Sequence, residues 1–198
     1  GTAGEPSYLE QSNIIHVPIS AAGLGADAYY FQPFGYEGNA LIAILKAPGA
    51  SDAFALFNFH MGGGSPDTPD ASGESLRGGS GGIVVETGPG GGAMVYVPLS
   101  GIAHADCSGV FNKVQSGQNL GDNSSCSGND IVPAFQATPQ DGYFAVGVIF
   151  VEDAAQADAA AASLKSFTGA KKPAELLDAA LKEWQDWRKA PPMGLALC

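Results

Sequence analysis

Positive charge is scarce in this chain. Its 198 residues include 9 lysines and arginines against 20 aspartates and glutamates, which gives a formal net charge of −11. The arginines are Arg77 and Arg188. Proteins that bind nucleic acid need a basic face to neutralise phosphates, and anionic membrane surfaces attract basic segments. The composition therefore predicts that neither nucleic acid nor an anionic membrane surface is a partner.

Long apolar runs are missing too. A helix that crosses a bilayer needs about 20 consecutive apolar residues. No run in the sequence approaches that length, so no membrane span is predicted. Apolar residues nevertheless make up 45% of the chain and charged residues 15%. This balance is typical of a globular domain with a full core and not of a disordered segment.

The sequence also has little that indicates metal binding or catalysis. The histidines, His16, His60 and His104, are far apart and lack the short spacings of metal ligands. Glycine-rich run 78–82 precedes a predicted strand, whereas a phosphate-binding loop leads into a helix. Glutamates near predicted strand ends are candidates for acid–base chemistry, but nothing in the sequence pairs two of them. These glutamates are Glu37, Glu86 and Glu152. We therefore predict no catalytic residue, no metal and no cofactor in this chain.

The cysteines indicate the cellular location of the protein. Cys107 and Cys126 bracket a segment rich in Asn, Ser and Gly, and a disulfide between them would close a loop of about 20 residues, worth roughly 3 kcal/mol. The alternative is two reduced, unrelated thiols. We predict the disulfide, and with it a secreted, periplasmic or cell-surface protein. Cys198 either pairs with a cysteine further along a longer chain or is a free thiol.

Short β-type segments dominate residues 1–152. Each is bounded by Gly, Pro, Asn or Asp, and no helical pattern separates them. This order predicts a mainly β fold, an antiparallel β-sandwich, with long loops at 62–82 and 108–130. The predicted strands are Asn13–Ile19, Ala28–Phe34, Asn39–Lys46, Phe54–Met61, Ile83–Glu86, Ala93–Leu99 and Tyr143–Val151.

Two helices are predicted at 153–190. Asp153 is placed to cap a helix over 154–167, and Gly169 follows its end. Pro173 opens a second helix, which is strongly amphipathic. Its apolar face indicates an interface with an absent C-terminal domain, to which the two helices would lead, followed by a tail at 191–198. The predicted interface residues are Leu177, Leu181, Trp184 and Trp187.

Aromatic side chains give the one binding signal. They crowd the segment 29–36, where Tyr30 and Tyr36 are candidates to stack on a sugar ring. His60 is a third candidate, because it ends a predicted aromatic strand just before a glycine turn. The alternative is that these rings fill the sandwich core.

The order of these features resembles a known family. Segments 29–37, 39–46 and 54–62, together with the helix that ends Glu183-Trp184-Gln185-Asp186-Trp187, resemble an N-terminal β-sandwich domain. This "super-sandwich" domain precedes the six-hairpin (α/α)6 toroid of bacterial glucoamylase-like glycoside hydrolases. In that family the general acid and base sit in the toroid. The resemblance therefore implies a non-catalytic domain that supports a C-terminal (α/α)6 catalytic domain, or one on another chain, and that borders its glycan site.

Two alternatives stay open. The chain could be a stand-alone extracellular module that binds carbohydrate or protein, or takes part in surface assembly. It could also be a complete enzyme, although no catalytic set supports this. The first expectation is a support domain of an exported carbohydrate-active enzyme.

Overall fold

The computed structural model describes residues 2–21, 24–59, 61, 64–65, 68–69, 73–128 and 131–189. His60, Cys198 and the predicted tail at 191–198 lie outside these described residues. The strands are β1 Thr2–Ala3, β2 Ser7–Tyr8, β3 Ile15–Ala21, β4 Leu24–Phe31, β5 Asn39–Lys46, β6 Ala53–Leu56, β7 Gly64–Ser65, β8 Thr68–Pro69, β9 Ser75–Gly78, β10 Val84–Thr87, β11 Ala93–Pro98, β12 His104–Ser108, β13 Cys126–Ser127, β14 Ile131–Ala137 and β15 Tyr143–Val151. The helices are α1 Val110–Gln115, α2 Ala157–Thr168 and α3 Pro173–Lys189.

Two antiparallel sheets form the body of the molecule. The large sheet has the order β1-β3-β4-β5-β15-β11-β10-β9-β13, with β2 also paired to β3. The small sheet has the order β12-β14-β6, and β7 pairs with β8 in a separate hairpin. Central strand β15 is a continuous apolar run, as expected for a strand covered on both faces, and most of its residues are buried.

The sheets and helices stack in layers, which confirms the predicted mainly β sandwich. Between the two sheets, Tyr96 and Phe144 of the large sheet pack against Phe135 of the small one. On the opposite, outer face of the large sheet, α2 packs through residues such as Leu164, and α3 through residues such as Leu177. The small sheet is covered in turn by α1 and the segment that follows it.

Local signals fix the positions of α2 and α3. The Asp153 side chain accepts a hydrogen bond from the Ala155 N–H at 2.9 Å, and a short 3-10 turn then leads into α2. Gly169 ends α2 with a φ of 64°. A Cβ at Gly147 would collide with the Leu164 side chain, so the missing side chain lets α2 lie close to β15. Both helices were predicted, with boundaries that differ by up to three residues.

The strand assignment was incomplete. β9 falls within the predicted loop 62–82, and α1 and β13 fall within the predicted loop 108–130. Strands β12 and β14 were missed as well. β14 contains Pro133, which breaks the usual strand pattern, although its carbonyl still accepts a hydrogen bond from Phe57. The aromatic strand predicted over 54–61 is only β6, Ala53–Leu56.

The predicted disulfide is confirmed. Cys107 and Cys126 are bonded, with a separation of 19 residues in sequence. Cys107 lies in β12 of the small sheet, and Cys126 lies in β13 at the edge of the large sheet. The bond therefore connects the two sheets, in addition to closing the loop between the two cysteines.

Candidate functional site

A group of aromatic side chains lies where α2, α3 and the turn after β4 meet. We call it the aromatic face, and its members are Phe34, Tyr36, Phe167, Trp184 and Trp187. Trp187 has 60% of its surface exposed, Phe167 has 43% and Phe34 has 38%. Because monomeric domains seldom expose contiguous apolar patches of this kind, such patches mark interaction surfaces.

A tight turn positions the two rings that follow β4. The Tyr36 N–H donates to the Pro33 carbonyl at 3.3 Å, and Gly35 has a φ of 75°. A positive φ at the third position of such a turn favours glycine, because other residues are strained there. Phe34 therefore lies at the tip of the turn, and Tyr36 lies on its far side.

Helical periodicity positions the tryptophans. Leu177 is buried on the outer face of the large sheet, and Trp184 follows it by seven residues on the same side of α3. Trp184 is half-buried at the rim of this contact. Trp187 comes one turn later and faces solvent, so the apolar side of α3 extends past the sheet that it covers.

The rings contact one another edge to face. Ring centroids of Phe34 and Trp184 are 5.3 Å apart at 77°, and those of Trp184 and Trp187 are 5.8 Å apart at 81°. Tyr36 and Phe167 form a similar pair at 5.3 Å and 66°. Edge-to-face pairs at these distances stabilise one another. The aromatic face is thus an ordered surface and not a set of independent side chains.

A groove of about 240 Å³ separates the two halves of the aromatic face. Phe34 and Phe167 line its sides, and Lys171 and Glu183 add one charge of each sign. The Trp184 Nε1–H is buried and has no acceptor among the described residues. An apolar groove with few polar groups favours a partner that presents apolar or ring-shaped surfaces.

The structure separates the predicted site residues. Tyr36 belongs to the aromatic face, whereas Tyr30 lies on the opposite, inner side of the large sheet and lines a different groove. His60 lies outside the described residues. Of the predicted interface residues, Leu177 is buried in the chain's own core, Leu181 and Trp184 pack partly against that core, and Trp187 is exposed. The role of this set in an interface stays a prediction.

Two glutamates and a tyrosine form a buried polar cluster between the sheets. Tyr96 donates a hydrogen bond to Glu86, and Glu74, at 3% exposure, adds a second negative charge nearby. Burial raises the pKa of Tyr96 far above its usual value, and the Glu86 charge raises it further. Glu86 and Tyr96 are 0% exposed. This closed position favours a structural role over contact with a substrate.

Asp106 organises a second buried polar group. It accepts hydrogen bonds from Lys113 at 2.5 Å and from the Gly121 and Cys107 N–H groups at 2.6 and 2.8 Å. Burial raises the pKa of the carboxyl, but the bonds from Lys113 and the backbone outweigh this, so the pKa lies below its usual value. Because Asp106 joins β12, α1 and the segment after α1, we interpret it as a structural residue.

The remaining polar candidates are structural as well. His16 bonds to Asp27 at 2.7 Å and stacks on Tyr29, and His104 bonds to Asp122 at 2.9 Å. Among the described residues there is no cluster of three or more metal-ligating side chains. None of the described helices is long and apolar enough to cross a membrane.

Comparison with known proteins gives a likeness in fold. No family model matches the sequence, and no curated protein matches it. A crystal structure of a bacterial glucoamylase complexed with acarbose superposes with a TM-score of 0.64 and 9% identity, over 94% of this chain. The chain spans 28% of the length of that glucoamylase. The expected resemblance is therefore confirmed as a distant structural relationship.

Proposed function

We propose that this chain is a non-catalytic β-sandwich domain of an exported glycoside hydrolase. It would correspond to the N-terminal super-sandwich that precedes an (α/α)6 catalytic domain. The likeness to a bacterial glucoamylase supports this, because 94% of this chain superposes while 72% of the glucoamylase is left over for other domains. The Cys107–Cys126 disulfide supports export to a secreted, periplasmic or cell-surface location.

The aromatic face is the observation that carries the proposal. Trp187 and Phe34 expose apolar rings close to one another, beside the Trp184 ring of α3. Interfaces are enriched in aromatic side chains and depleted of charge at their centres. The aromatic face would therefore contact the catalytic domain, and the sandwich would brace that domain and border its glycan site.

The encoding reading frame beyond codon 198 tests this proposal directly. We expect several hundred residues with the pattern of paired helices, and carboxylates at helix–loop junctions. In that longer protein, Trp187→Ala should lower the unfolding temperature of the catalytic domain, and the exposed Phe111→Ala serves as the control. A stop codon directly after Cys198, with no helical partner encoded beside it, would contradict the proposal.

A stand-alone carbohydrate-binding module is the second candidate function. The exposed Trp187 and Phe34 rings favour it, because flat aromatic faces stack on sugars. A glycan array probed with the isolated chain distinguishes the two. Binding that Trp187→Ala abolishes supports the module, whereas an absence of binding supports the domain interface.

A further inference from the structure

The inner face of the large sheet is apolar and partly open at strands β2, β3 and β4. Ala43 and Leu45 of β5 pack at the border of the core between the two sheets. Residues directly opposite one another in neighbouring strands point to the same side of a sheet. The register therefore extends this inner face across β4 and β3 to β2. We call its residues in these three strands the inner shelf: Tyr8, Ile15, Val17, Ile19, Ala26, Ala28 and Tyr30.

The inner shelf is accessible to solvent. Tyr8 is 69% exposed and Ile15 is 40% exposed. Val17, Ile19 and Tyr30 are half-buried. A sheet face made only of apolar side chains normally packs against another layer. The inner shelf has the composition of such a face, but the described residues cover it only in part.

A groove separates the inner shelf from β6, which is an edge strand of the small sheet. Two cavities form this groove, with volumes of about 180 and 280 Å³. Ile19, Leu45 and Phe54 line both cavities, so the two are continuous. Among the described residues that line the groove, Asp52 alone is charged. The groove is therefore apolar along β6 and has one acidic end.

The backbone of β6 presents hydrogen-bonding groups to this groove. Phe57 donates its N–H to the Pro133 carbonyl at 2.9 Å, so its backbone faces β14. Because the bonds of an antiparallel pair alternate in direction, the N–H and C=O groups of Phe54 and Leu56 point away from β14. They bond to no described residue. A row of such groups at a sheet edge is a template for one more strand.

The two edges of the small sheet differ in how they are protected. At the other edge, β12 has an irregularity in its pairing between Asp106 and Ser108, and the disulfide ties it to β13. Bulges, charges and prolines keep edge strands from pairing with another chain. β6 reads Ala-Phe-Ala-Leu and pairs with β14 in regular register, without a charge or a proline. Of these two edges, β6 is therefore the one that accepts an added strand.

We propose that the groove binds a segment of a separate polypeptide as an antiparallel strand beside β6. An extended peptide supplies donors and acceptors at the spacing that the backbone groups of Phe54 and Leu56 require, and its alternate side chains lie on the inner shelf. A lipid acyl chain would fill the apolar space but would leave those backbone groups buried without partners, which is costly. The ligand is therefore an extended peptide with an apolar side chain at every second position.

Charge favours a basic residue at one end of this peptide. Asp52 is exposed and lines the groove beside the first residue of β6. The chain as a whole has a net charge of −11. A lysine or arginine next to Asp52 would therefore be attracted both by this carboxylate and by the field of the whole chain. The remaining walls of the groove require uncharged residues in the middle of the peptide.

NMR of the chain 1–198 with a synthetic peptide tests the added strand. The probe is a peptide of alternating valine and threonine with a terminal lysine, added at millimolar concentration. It should slow the amide exchange of Phe54 and Leu56 and shift the methyl signals of Val17 and Ile19. The methyl signals of Ile42, on the outer face, should stay unchanged.

Methylation of the peptide backbone provides the matched control. The Phe54 and Leu56 side chains pack on the far face of the small sheet, beside α1. In an antiparallel pair, peptide residues whose N–H groups point to β6 therefore also carry their side chains on that far face. With the valines on the inner shelf, N-methylation of the threonines should weaken binding at least about tenfold. N-methylation of the valines, whose N–H groups point away from β6, should leave the affinity unchanged.

A pair of adjacent substitutions in β3 tests the inner shelf. Ile19→Asp places a charge on the shelf and should abolish the slowed exchange of Phe54 and Leu56 on addition of the peptide. Ser20→Asp, whose side chain lies on the opposite face of the same strand, should bind the peptide as wild type does. Urea denaturation checks that both variants are folded. If Ile19→Asp is unfolded, the comparison of the two N-methylated peptides decides the proposal.

Four results would overturn the proposal. They are unchanged exchange of Phe54 and Leu56 with the unmodified peptide, equal affinity of the two N-methylated peptides, and either of two forms of slow exchange in the chain alone. Slow exchange that depends on protein concentration, with a dimer in sedimentation velocity, would place a second copy at β6. Slow exchange at every concentration would show that the chain's own residues cover this edge. None of these results affects the proposed catalytic-domain interface, which lies on the other side of the large sheet.

Discussion

The two sides of the large sheet are covered in different ways. On the outer side, α2 and α3 pack through apolar residues such as Leu164 and Leu177. On the strand-covered side, Glu86 forms a specific hydrogen bond between the two sheets. Asp106 and Gln136 form specific hydrogen bonds on the far face of the small sheet, beside α1 and the segment after it. Apolar packing has no preferred direction, whereas a buried hydrogen bond requires one geometry. The strand-covered side therefore fixes the architecture, and the helix-covered side is the more adaptable surface.

Removal of the Asp106 carboxylate should have the largest effect. Asp106→Ala would leave the Lys113 ammonium and the Gly121 and Cys107 N–H groups without their acceptor. We expect a loss of about 3–5 kcal/mol in the free energy of unfolding at neutral pH, measured by urea denaturation. Asp122→Ala, which removes the exposed partner of His104, is the control and should cost less than about 1 kcal/mol. Equal losses in the two variants would show that burial does not determine how much each of these carboxylates contributes to the free energy of unfolding.

Lowering the pH should also remove the stabilisation that the Asp106 carboxylate provides. The pKa of Asp106 is lowered in the folded state, so its contribution to stability is complete above the unfolded value of about 3.9 and is lost as the pH falls through the folded pKa. The Asp106→Ala variant should therefore show a flatter dependence of stability on pH below about 4. If wild type and variant lose stability in parallel, other carboxylates control acid unfolding.

Loss of the disulfide should have the second largest effect on stability. The Cys107→Ser/Cys126→Ser variant opens a loop of about 20 residues and should lose roughly 3 kcal/mol. Because the bond joins β12 to β13, the loss should appear on the strand-covered side, as faster amide exchange in both strands with α3 unchanged. Reduction of the wild-type protein should have the same effect, and an unchanged unfolding midpoint after complete reduction would contradict this role.

Alkaline pH gives the third and smaller effect. Burial raises the pKa of Tyr96, with a further rise from Glu86, so the stability it contributes is present below pH 10 and is lost as the pH rises beyond that. Tyr96→Phe removes the donor to Glu86 and should cost about 1–3 kcal/mol at neutral pH. It should also flatten the alkaline decline in the urea midpoint. Tyr29→Phe is the helix-side comparison, because burial and then Asp27 raise the pKa of that tyrosine as well. If only Tyr29→Phe flattens the alkaline decline in the urea midpoint, the loss of stability at high pH belongs to Tyr29 and not to Tyr96.

The sequence predicted the helix-covered side better than the strand-covered side. The apolar periodicity of α3, the capping residue Asp153 and Gly169 are local signals, and both helices were found. The small sheet depends on long-range pairing of β12, β14 and β6, and β14 also carries Pro133 and the buried Gln136. β6 was found as part of the strand predicted over 54–61, whereas β12 and β14 gave no local pattern to detect.

The candidate site was predicted in part for the same reason. Tyr36 and Trp187 were identified from their own segments, but their convergence with Phe167 depends on how α2 packs on β15. Tyr30 was grouped with Tyr36 because the two are close in sequence. The alternation of side chains along β4 places Tyr30 on the opposite side of the sheet. Asp106 gave no signal as a buried residue, since its partners Lys113 and Gly121 belong to a segment predicted as a loop.

Trp187→Ala should have the smallest effect on the free energy of unfolding of the isolated chain. The variant therefore separates a surface residue of α3 from a core residue of the same helix. Its side chain is 60% exposed, so we expect a change of less than about 0.5 kcal/mol in the free energy of unfolding. Leu177→Ala, on the same helix but buried, should cost about 2–5 kcal/mol. In a longer protein that carries the proposed catalytic domain, Trp187→Ala should leave the sandwich folded and weaken the proposed contact between the domains, whereas Leu177→Ala should destabilise the sandwich itself. Differential scanning calorimetry measures the stability of the isolated chain and that of the longer protein. If Trp187→Ala destabilises the isolated chain as much as Leu177→Ala does, the ring serves the chain's own core, and the aromatic face loses its main argument as an interaction surface.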